Sequence, residues 1–268
     1  MKKPLILAEL QARKEDRRPG FAMLIDPDKT RPEYGPVLAR KCAEARVDYL
    51  LVGGSLVLNY AHFEAFIRNF KAACNIPVLL FPGAPAQVTP EADGLLYLSL
   101  VSGRNPELLI GQHVVSAPAV RASGLEVLST GYIVVDGGRP TTVSYMSGSA
   151  PVPANKPDIA LCTAWASELL GHHLLYLDAG SGALDPVSAD MICLVAGQTR
   201  NPLFVGGGMR TPQAAAGAAA AGATIVVVGD VLETAPELLG EMAAAVHQVS
   251  SKRVSAYPTT PVAEVPNL

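Results

Sequence analysis

Short runs of apolar residues recur along the chain, and each ends in glycine, proline or a polar residue. The runs are apolar at successive positions rather than at alternate ones, which is typical of parallel strands covered by helices. The predicted strands are 21–25, 49–52, 78–81, 95–100, 131–135, 174–177, 203–205 and 224–228.

The segments between these runs have the apolar spacing of helices. The predicted helices are 36–44, 63–73, 159–171, 186–196, 212–222 and 236–249. Eight strands that alternate with helices in one chain predict a closed (β/α)8 barrel. The expected fold class is therefore α/β, with a single TIM-barrel domain over residues 1–254.

Three segments depart from this alternation. Residues 83–93 are broken by proline and are too short for a good helix, so the third βα unit is expected to be irregular. Residues 144–157 are rich in serine, glycine and proline, which makes them a candidate lid. Residues 255–268 contain three prolines and are predicted to form a flexible C-terminal tail.

Composition narrows the class of protein. Hydrophobic residues make up 49% of the 268 residues and charged ones 17%, which excludes a disordered chain. A net charge of −3 argues against a nucleic-acid partner, because such binding needs a basic surface. The four cysteines lack C-x-x-C spacing, and no apolar stretch is long enough to span a membrane. We expect a cytoplasmic protein with at most peripheral membrane contact.

Glycine-rich sequences follow the last three predicted strands, at 180–182, 206–208 and 229–230. In a TIM barrel the loops after the strands form the functional face, and phosphate is often bound late in the strand order. Glycine allows backbone amides to approach an anion closely. One such loop would be explained equally well as a tight turn, but three together favour phosphate binding. They do not define the reaction.

Polar residues also follow the first two predicted strands. Asp26 ends the first strand, and Ser55 follows the second. A carboxylate beside a hydroxyl suits Mg²⁺, which takes one or two protein oxygens and completes its shell with water and phosphate oxygens. Helix capping is the alternative, and we expect it for Asp28 but not for Asp26.

The sixth strand carries a candidate acid–base pair. Tyr176 and Asp178 are two residues apart, so they lie on the same face of the strand. If they face the barrel mouth, Asp178 can accept a proton from a substrate hydroxyl while Tyr176 orients that hydroxyl. A buried Tyr–Asp hydrogen bond explains the same pattern, and the sequence leaves both interpretations open.

Several of these motifs occur together in a specific order. They are LIDPDK at 24–29, LVGGS at 51–55, FPG at 81–83, RNP at 104–106, YMS at 145–147, YLDAGSG at 176–182, VGGG at 205–208 and VGD at 228–230. In this order they resemble the geranylgeranylglyceryl phosphate synthase family, which includes the bacterial heptaprenylglyceryl phosphate synthases. The resemblance extends from about residue 21 to about residue 232.

The resemblance implies a (β/α)8 enzyme that uses Mg²⁺ and joins a prenyl diphosphate, geranylgeranyl above all, to the C3 hydroxyl of sn-glycerol 1-phosphate. The products would be an ether-lipid precursor and diphosphate. Asp26 and Ser55 would hold the metal. It also implies a homo-oligomer, a dimer or a hexamer. The glycerol phosphate would contact Tyr176, Leu177, Asp178, Ala179, Gly180, Ser181, Gly182, Gly207, Gly208, Gly229 and Asp230.

Two positions depart from the family pattern. Asp178 stands where relatives usually carry Glu, so the expected base is one methylene shorter. Asp230 stands where they usually carry Asn, and its charge would repel a phosphate unless the side chain turns away or is compensated.

Two further assignments have equal structural alternatives. Arg104 is a candidate ligand of the diphosphate, and an exposed structural arginine explains it as well. An apolar groove for the prenyl tail is expected along the third and fourth strands, where core packing is the alternative. The groove residues would be Leu80, Phe81, Tyr97 and Leu100.

Other functions stay open on the residues alone. An isomerase or lyase that acts on a sugar phosphate would use the same glycine loops but leaves Asp26 and Ser55 unexplained. A non-catalytic protein that binds a phosphorylated metabolite is a third alternative, which the departures at Asp178 and Asp230 keep open.

Overall fold

The computed structural model describes residues 6–249. Within them, eight parallel strands pair in chain order, and the last closes on the first. The strands are β1 (Gly20–Ile25), β2 (Tyr49–Val52), β3 (Val78–Leu80), β4 (Gly94–Leu100), β5 (Glu126–Val134), β6 (Leu174–Asp178), β7 (Leu203–Gly206) and β8 (Ile225–Val228). The predicted TIM barrel is confirmed.

Helices follow most strands and cover the outside of the barrel. They are α1 (Ile6–Glu15), α2 (Gly35–Glu44), α3 (Tyr60–Ala73), α4 (Gln112–Ser123), α5 (Thr142–Ser147), α6 (Pro157–Leu169), α7 (Ala189–Gln198), α8 (Pro212–Ala220), α9 (Asp230–Thr234) and α10 (Leu239–His247). A π-helical turn, Glu107–Gly111, leads into α4. Side-chain caps set the starts of α3, α7 and α8, where Asn59, Ser188 and Thr211 accept backbone hydrogen bonds.

Two apolar layers stabilise the barrel. Residues that point into its interior, such as Tyr49, Leu96 and Phe204, form one buried cluster. Residues on the opposite faces of the same strands pack against the helices in a second, larger cluster. Because both faces of each strand are buried, the strands are apolar at successive positions, as the sequence pattern predicted.

Helix α1 packs against the end of the barrel where the strands begin. Its Ile6 and Leu10 belong to the interior cluster. The carboxylate of Glu126 accepts hydrogen bonds from the amides of Ile6 and Leu7, at 2.7 and 2.8 Å. The functional face is therefore the opposite end, where the strands finish.

An ionic network stabilises the same closed end. Arg13 donates to Glu9 at 2.7 Å and to Asp48 at 2.5 Å. Asp48 also accepts from the amide of Phe21 and pairs with Nε2 of His247, both at 2.8 Å. Burial opposes ionisation of Asp48, but these hydrogen bonds and the charge of Arg13 outweigh it and lower the pKa of Asp48.

Three elements differ from the sequence prediction. β5 begins at Glu126, five residues before the predicted start. The polar residues in its first half interrupt the apolar run, so the sequence pattern did not show it. Glu126 itself holds α1. α1 is charged along much of its length, and α4 contains Pro118, so neither was predicted as a helix. α1 and α4 are stabilised by tertiary contacts rather than by the intrinsic helix propensity of their residues.

The two irregular segments have different outcomes. No helix separates β3 from β4, so the predicted irregular third unit is confirmed. The candidate lid at 144–157 overlaps α5, and its Val152 pairs with Val135 as a parallel bridge. This segment therefore contains regular structure and is attached to the end of β5 by a backbone bridge.

No helix within residues 6–249 is both long enough and apolar enough to cross a membrane. The predicted domain end at residue 254 and the tail at 255–268 lie outside the described residues.

Candidate active site

A cavity of about 440 Å³ opens where the strands end, and we call it the polar cavity because charged side chains such as Asp26, Asp178 and Arg210 line it. Loops after β1, β2, β6, β7 and β8 all contribute to its wall, because the carboxyl ends of parallel strands meet at one face. It gathers most of the residues that the sequence singled out: Asp26, Ser55, Tyr176, Asp178, Ser181, Gly207, Gly208, Gly229 and Asp230.

Asp178 lies at the base of this cavity and is 6% exposed. Its Oδ2 accepts a hydrogen bond from the hydroxyl of Tyr132 at 2.5 Å, and its Oδ1 accepts from the amide of Gly180 at 2.7 Å. Burial raises the pKa of Asp178, and the charge of Asp230 adds to the rise, while the two hydrogen bonds act against it. Asp178 is thus a carboxylate with enhanced affinity for a proton.

Tyr132 was not singled out by the sequence, yet it makes the Tyr–Asp hydrogen bond that was one of the two interpretations offered for Tyr176. Tyr176 instead stacks on Phe81 with ring centroids 5.3 Å apart, and its hydroxyl lies beside Gly206. Burial and the charge of Asp178 raise the pKa of both tyrosines well above the ordinary value. The only sequence signal for Tyr132 was its place near the end of an apolar strand.

The glycine loops are shaped around Asp178. Gly207 has φ of +82°, and a Cβ there would lie 2.7 Å from Oδ1 of Asp178 and 2.6 Å from the amide nitrogen of Gly180. Any larger residue would therefore displace the carboxylate. Leu177 and Ala179 belong to the outer apolar layer, so only their backbones can take part in binding.

The carboxylate of Asp230 points to the glycine loop after β6 and does not turn away from it. Its Oδ1 accepts from the hydroxyl of Ser181 at 2.6 Å, and its Oδ2 accepts a very short hydrogen bond from the amide of Gly182. The two donors that best suit a phosphate are therefore held by a carboxylate of the same chain.

Two arginines that the sequence prediction omitted lie beside the loops. The guanidinium of Arg139 is 2.9 Å from the position a Cβ of Gly182 would take. Arg210 lines the polar cavity and donates to the carbonyl of Ala183 at 2.7 Å. Each follows a glycine pair at a strand end by one or two residues, which was an available signal.

The loops after β1 and β2 place the carboxylate of Asp26 and the hydroxyl of Ser55 on the wall of the polar cavity. Oδ1 of Asp26 lies 4.0 Å from the position a Cβ of Gly54 would take, next to Ser55. Oδ2 of Asp26 is 3.7 Å from Nζ of Lys29. One carboxylate and one hydroxyl facing a phosphate-sized cavity fit Mg²⁺, which needs few protein ligands.

Gly53 is required for this placement, and Asp28 supports it. With φ of +155°, Gly53 approaches β3 so closely that a Cβ would lie 2.1 Å from the carbonyl oxygen of Phe81. Asp28 accepts from the amides of Leu58 and Asn59, at 2.6 and 3.2 Å. Asp28 thus acts as a cap for these backbone amides, and it thereby fixes the loop that carries Ser55.

A second cavity, of about 180 Å³, lies beside the first between β4, α4 and α5. Its wall is mainly apolar and includes Leu95, Tyr97, Leu100, Leu108, Val120, Val143 and Met146. Of the predicted groove residues, Tyr97 and Leu100 line it, Phe81 lines the polar cavity, and Leu80 packs in the outer layer. The two cavities share Ser55, Tyr132 and Val143.

Arg104 is not part of either wall. Its side chain is exposed, and Nη1 donates to the carbonyl of Gly103 at 2.7 Å. The structure therefore does not bring it to the other predicted site residues.

Comparison with known proteins identifies the class. The profile of the PcrB family matches residues 11–249. A geranylgeranylglyceryl phosphate synthase of Chitinophaga pinensis is 56% identical over 227 residues, which cover 85% of this chain and 90% of that protein. The same enzyme of Spirosoma linguale is 49% identical, covering 89% and 96%.

A solved structure agrees. The (S)-3-O-geranylgeranylglyceryl phosphate synthase of Thermoplasma acidophilum, in complex with sn-glycerol-1-phosphate, superimposes with a TM-score of 0.86 at 28% identity. The alignment covers 92% of this chain and 100% of that one.

The barrel, its two adjoining cavities and these relatives define a prenyltransferase. The alternatives of a sugar-phosphate isomerase or lyase and of a non-catalytic binding protein are set aside. The chain belongs to the PcrB family, of the geranylgeranylglyceryl phosphate synthase type.

Proposed function

We propose that this enzyme transfers the prenyl group of a prenyl diphosphate, geranylgeranyl in the first instance, to the C3 hydroxyl of sn-glycerol 1-phosphate. The product would be an ether-lipid precursor, released with diphosphate. The observation that carries the proposal is the junction of the two cavities, where Ser55, Tyr132 and Val143 belong to both walls.

The two cavities differ in chemistry as the two substrates do. A phosphorylated glycerol suits the polar cavity, with its glycine loops and Arg210. A prenyl tail suits the apolar cavity, because transfer of its methylene groups out of water is favourable by about 0.8 kcal/mol each. Their junction is where the glycerol hydroxyl and the reacting carbon of the prenyl chain would meet.

Asp178 is the proposed general base at this junction. Its raised pKa gives it a stronger tendency to take the proton of the C3 hydroxyl as the new ether bond forms. The hydroxyl of Tyr132 and the amide of Gly180 fix the orientation of both carboxylate oxygens. Tyr176 forms the floor beside them and would position the glycerol backbone.

Asp26 and Ser55 are the proposed holders of Mg²⁺. When bound, the ion would neutralise charge on the diphosphate and so make it a better leaving group. Lys29, 3.7 Å from Asp26, supplies positive charge on the same side of the cavity. Its pKa is raised, first by a hydrogen bond to Glu233 and further by the charges of Glu233, Asp26 and Asp230, so the ammonium form is favoured.

The proposal is tested with purified protein, labelled sn-glycerol 1-phosphate and a series of prenyl diphosphates from geranyl to heptaprenyl, with and without Mg²⁺. We expect label to become extractable into organic solvent only with Mg²⁺, and most rapidly with geranylgeranyl diphosphate. Labelled sn-glycerol 3-phosphate is the matched control and should react far more slowly. Absence of extractable label with every prenyl length would refute the proposal.

We also infer that the protein forms a homo-oligomer, either a dimer or a hexamer. Support comes from large aliphatic side chains left exposed on the outer helices, among them Val114 and Val115 on α4 and Leu169 on α6. Light scattering of the purified chain tests this, and a monomeric mass across a range of concentrations would contradict it.

A further inference from the structure

Asp230 bridges two loops of the barrel mouth that are distant in sequence. It follows β8 at the start of α9, whereas Ser181 and Gly182 follow β6. Its two carboxylate oxygens accept from the hydroxyl of Ser181, at 2.6 Å, and from the amide of Gly182. All three residues lie at the polar cavity or directly beside it, and Asp230 and Ser181 are exposed.

The carboxylate of Asp230 contacts this loop in the way that a bound anion would. A hydroxyl and a backbone amide at the end of a strand are the donors that hold phosphate oxygens in such loops. A carboxylate offers two acceptor oxygens with a negative charge, as a phosphate does. The guanidinium of Arg139, beside Gly182, adds positive charge at the same place.

We propose that Asp230 is an internal competitor for the phosphate site and thereby sets how tightly the site binds phosphate. This inference rests on the proposed function only in naming glycerol phosphate as the ligand. A phosphate monoester must displace the carboxylate from Ser181 and Gly182, which it does because it carries more charge and can also meet Arg139 and Arg210. A neutral polyol such as glycerol carries no charge to meet these arginines and is expected to bind weakly.

The competitor also explains how a carboxylate is tolerated beside a phosphate. Lys29 lines the same cavity as Asp230, so a displaced carboxylate has an ammonium group of opposite charge on the same wall. The displacement has a cost, and that cost lowers the affinity of the site for phosphate.

The experiment measures binding of inorganic phosphate and of glycerol to the full chain by calorimetry, for the natural protein and for Asp230→Ala and Asp230→Asn. Both variants should bind phosphate more tightly, by about tenfold, since a charge-assisted hydrogen-bonded contact no longer has to be broken. The KM for sn-glycerol 1-phosphate should fall by a similar factor. The preference for phosphate over glycerol should not fall, because the cost of displacing the carboxylate is common to both ligands and its charge repels only phosphate.

Glu233→Gln is the matched control. It removes the same charge from the same cavity wall, but Glu233 pairs with Lys29 and leaves Ser181 and Gly182 untouched. Competition predicts a gain in affinity for the Asp230 variants that clearly exceeds the gain for Glu233→Gln. An equal gain for all three would assign the effect to bulk charge and overturn the inference.

Unchanged or weaker phosphate binding in both Asp230 variants would also overturn it, because Asp230 would then hold the loop in its binding shape. Using two variants guards against a local folding defect in one of them, and each is checked by its melting temperature. Phosphate binding does not depend on turnover. Tighter binding without any prenyl transfer would therefore retain this inference while the proposed function failed.

Discussion

The hydroxyl of Tyr132 donates a hydrogen bond of 2.5 Å to Oδ2 of Asp178. The two residues lie on neighbouring strands, β5 and β6, and both face the barrel interior. The contact places a buried carboxylate at the junction of a polar and an apolar cavity and holds it in one orientation. Tyr132 is therefore one neighbour through which the pKa of this carboxylate can be changed without removing the carboxylate itself.

Replacement of Asp178 by Asn tests the proposed base. The amide keeps the size of the side chain but does not take up a proton, so kcat/KM should fall by about 10²- to 10⁴-fold. Steady-state kinetics with both substrates provide the measurement. A melting temperature close to that of the natural protein would show that the fold is kept, and retention of more than about a tenth of the activity would exclude Asp178 as the base.

Replacement of Tyr132 by Phe should move the acidic limb of the pH–rate profile to higher pH. A general base works when ionised, so activity is lost as the pH falls through its pKa. The hydrogen bond from Tyr132 lowers the pKa of Asp178, against the upward effect of burial. Its loss therefore raises that pKa further. Tyr97→Phe is the control, because the Tyr97 hydroxyl donates to the carbonyl of His113 and not to Asp178.

Replacement of Asp26 by Ala tests the metal site. We expect Mg²⁺ binding, measured by calorimetry in the presence of diphosphate, to weaken by about tenfold or more, because a carboxylate ligand is lost. Activity should fall in parallel and should be partly restored by excess Mg²⁺. Asp136→Asn serves as the control, since that carboxylate accepts from the amide of Gly138 after β5 and does not line the cavity. Equal loss of Mg²⁺ affinity in both variants would show that Asp26 is not a ligand of the metal.

Replacement of Val120 by Phe should shorten the prenyl chain that the enzyme accepts. Val120 lines the apolar cavity from the later part of α4, far from the mouth, and is 7% exposed. A larger side chain there fills space that a long tail would need, at a cost in stability of about 1–3 kcal/mol. The ratio of kcat/KM for geranylgeranyl to that for farnesyl diphosphate should decrease. Ala122→Phe, at an exposed position of the same helix that does not line the cavity, should leave the ratio unchanged.

Replacement of Asp48 by Asn tests the ionic network at the closed end of the barrel. The pKa of Asp48 is lowered in the folded protein, so its ionised form stabilises the fold at neutral pH. That contribution is lost as the pH falls through the lowered pKa in the acid range. The variant should lose about 2–3 kcal/mol at neutral pH, because Arg13 loses its buried partner, and should differ less in acid.

Urea unfolding at neutral and acid pH measures both effects. Glu91→Gln is the control, because Glu91 pairs with Arg68 at the surface and is expected to change stability little. A loss of stability that does not depend on pH would contradict the ionic explanation.

Local sequence patterns were sufficient for the barrel. Runs such as 49–52 and 174–177 are apolar on both faces, and this pattern follows directly from burial between an interior and a helical layer. The same logic placed Asp26, Ser55, Asp178 and Asp230 at one mouth, since the carboxyl ends of parallel strands must meet there. The close packing at Gly207 was predictable too, because a run of glycines directly after a strand indicates a loop that another part of the chain or a ligand approaches closely.

What the sequence did not determine were the contacts across the barrel. The partner of Asp178 is Tyr132, 46 residues away, and not its strand neighbour Tyr176. Likewise, the carboxylate of Asp230 meets Ser181 and Gly182, and Arg139 comes to the same loop, while Arg104 does not. The pattern of apolar and polar residues shows which side of a strand is buried, but it does not determine the distance between side chains on different strands. The strand register and barrel closure fix those distances, so only the tertiary structure decided them.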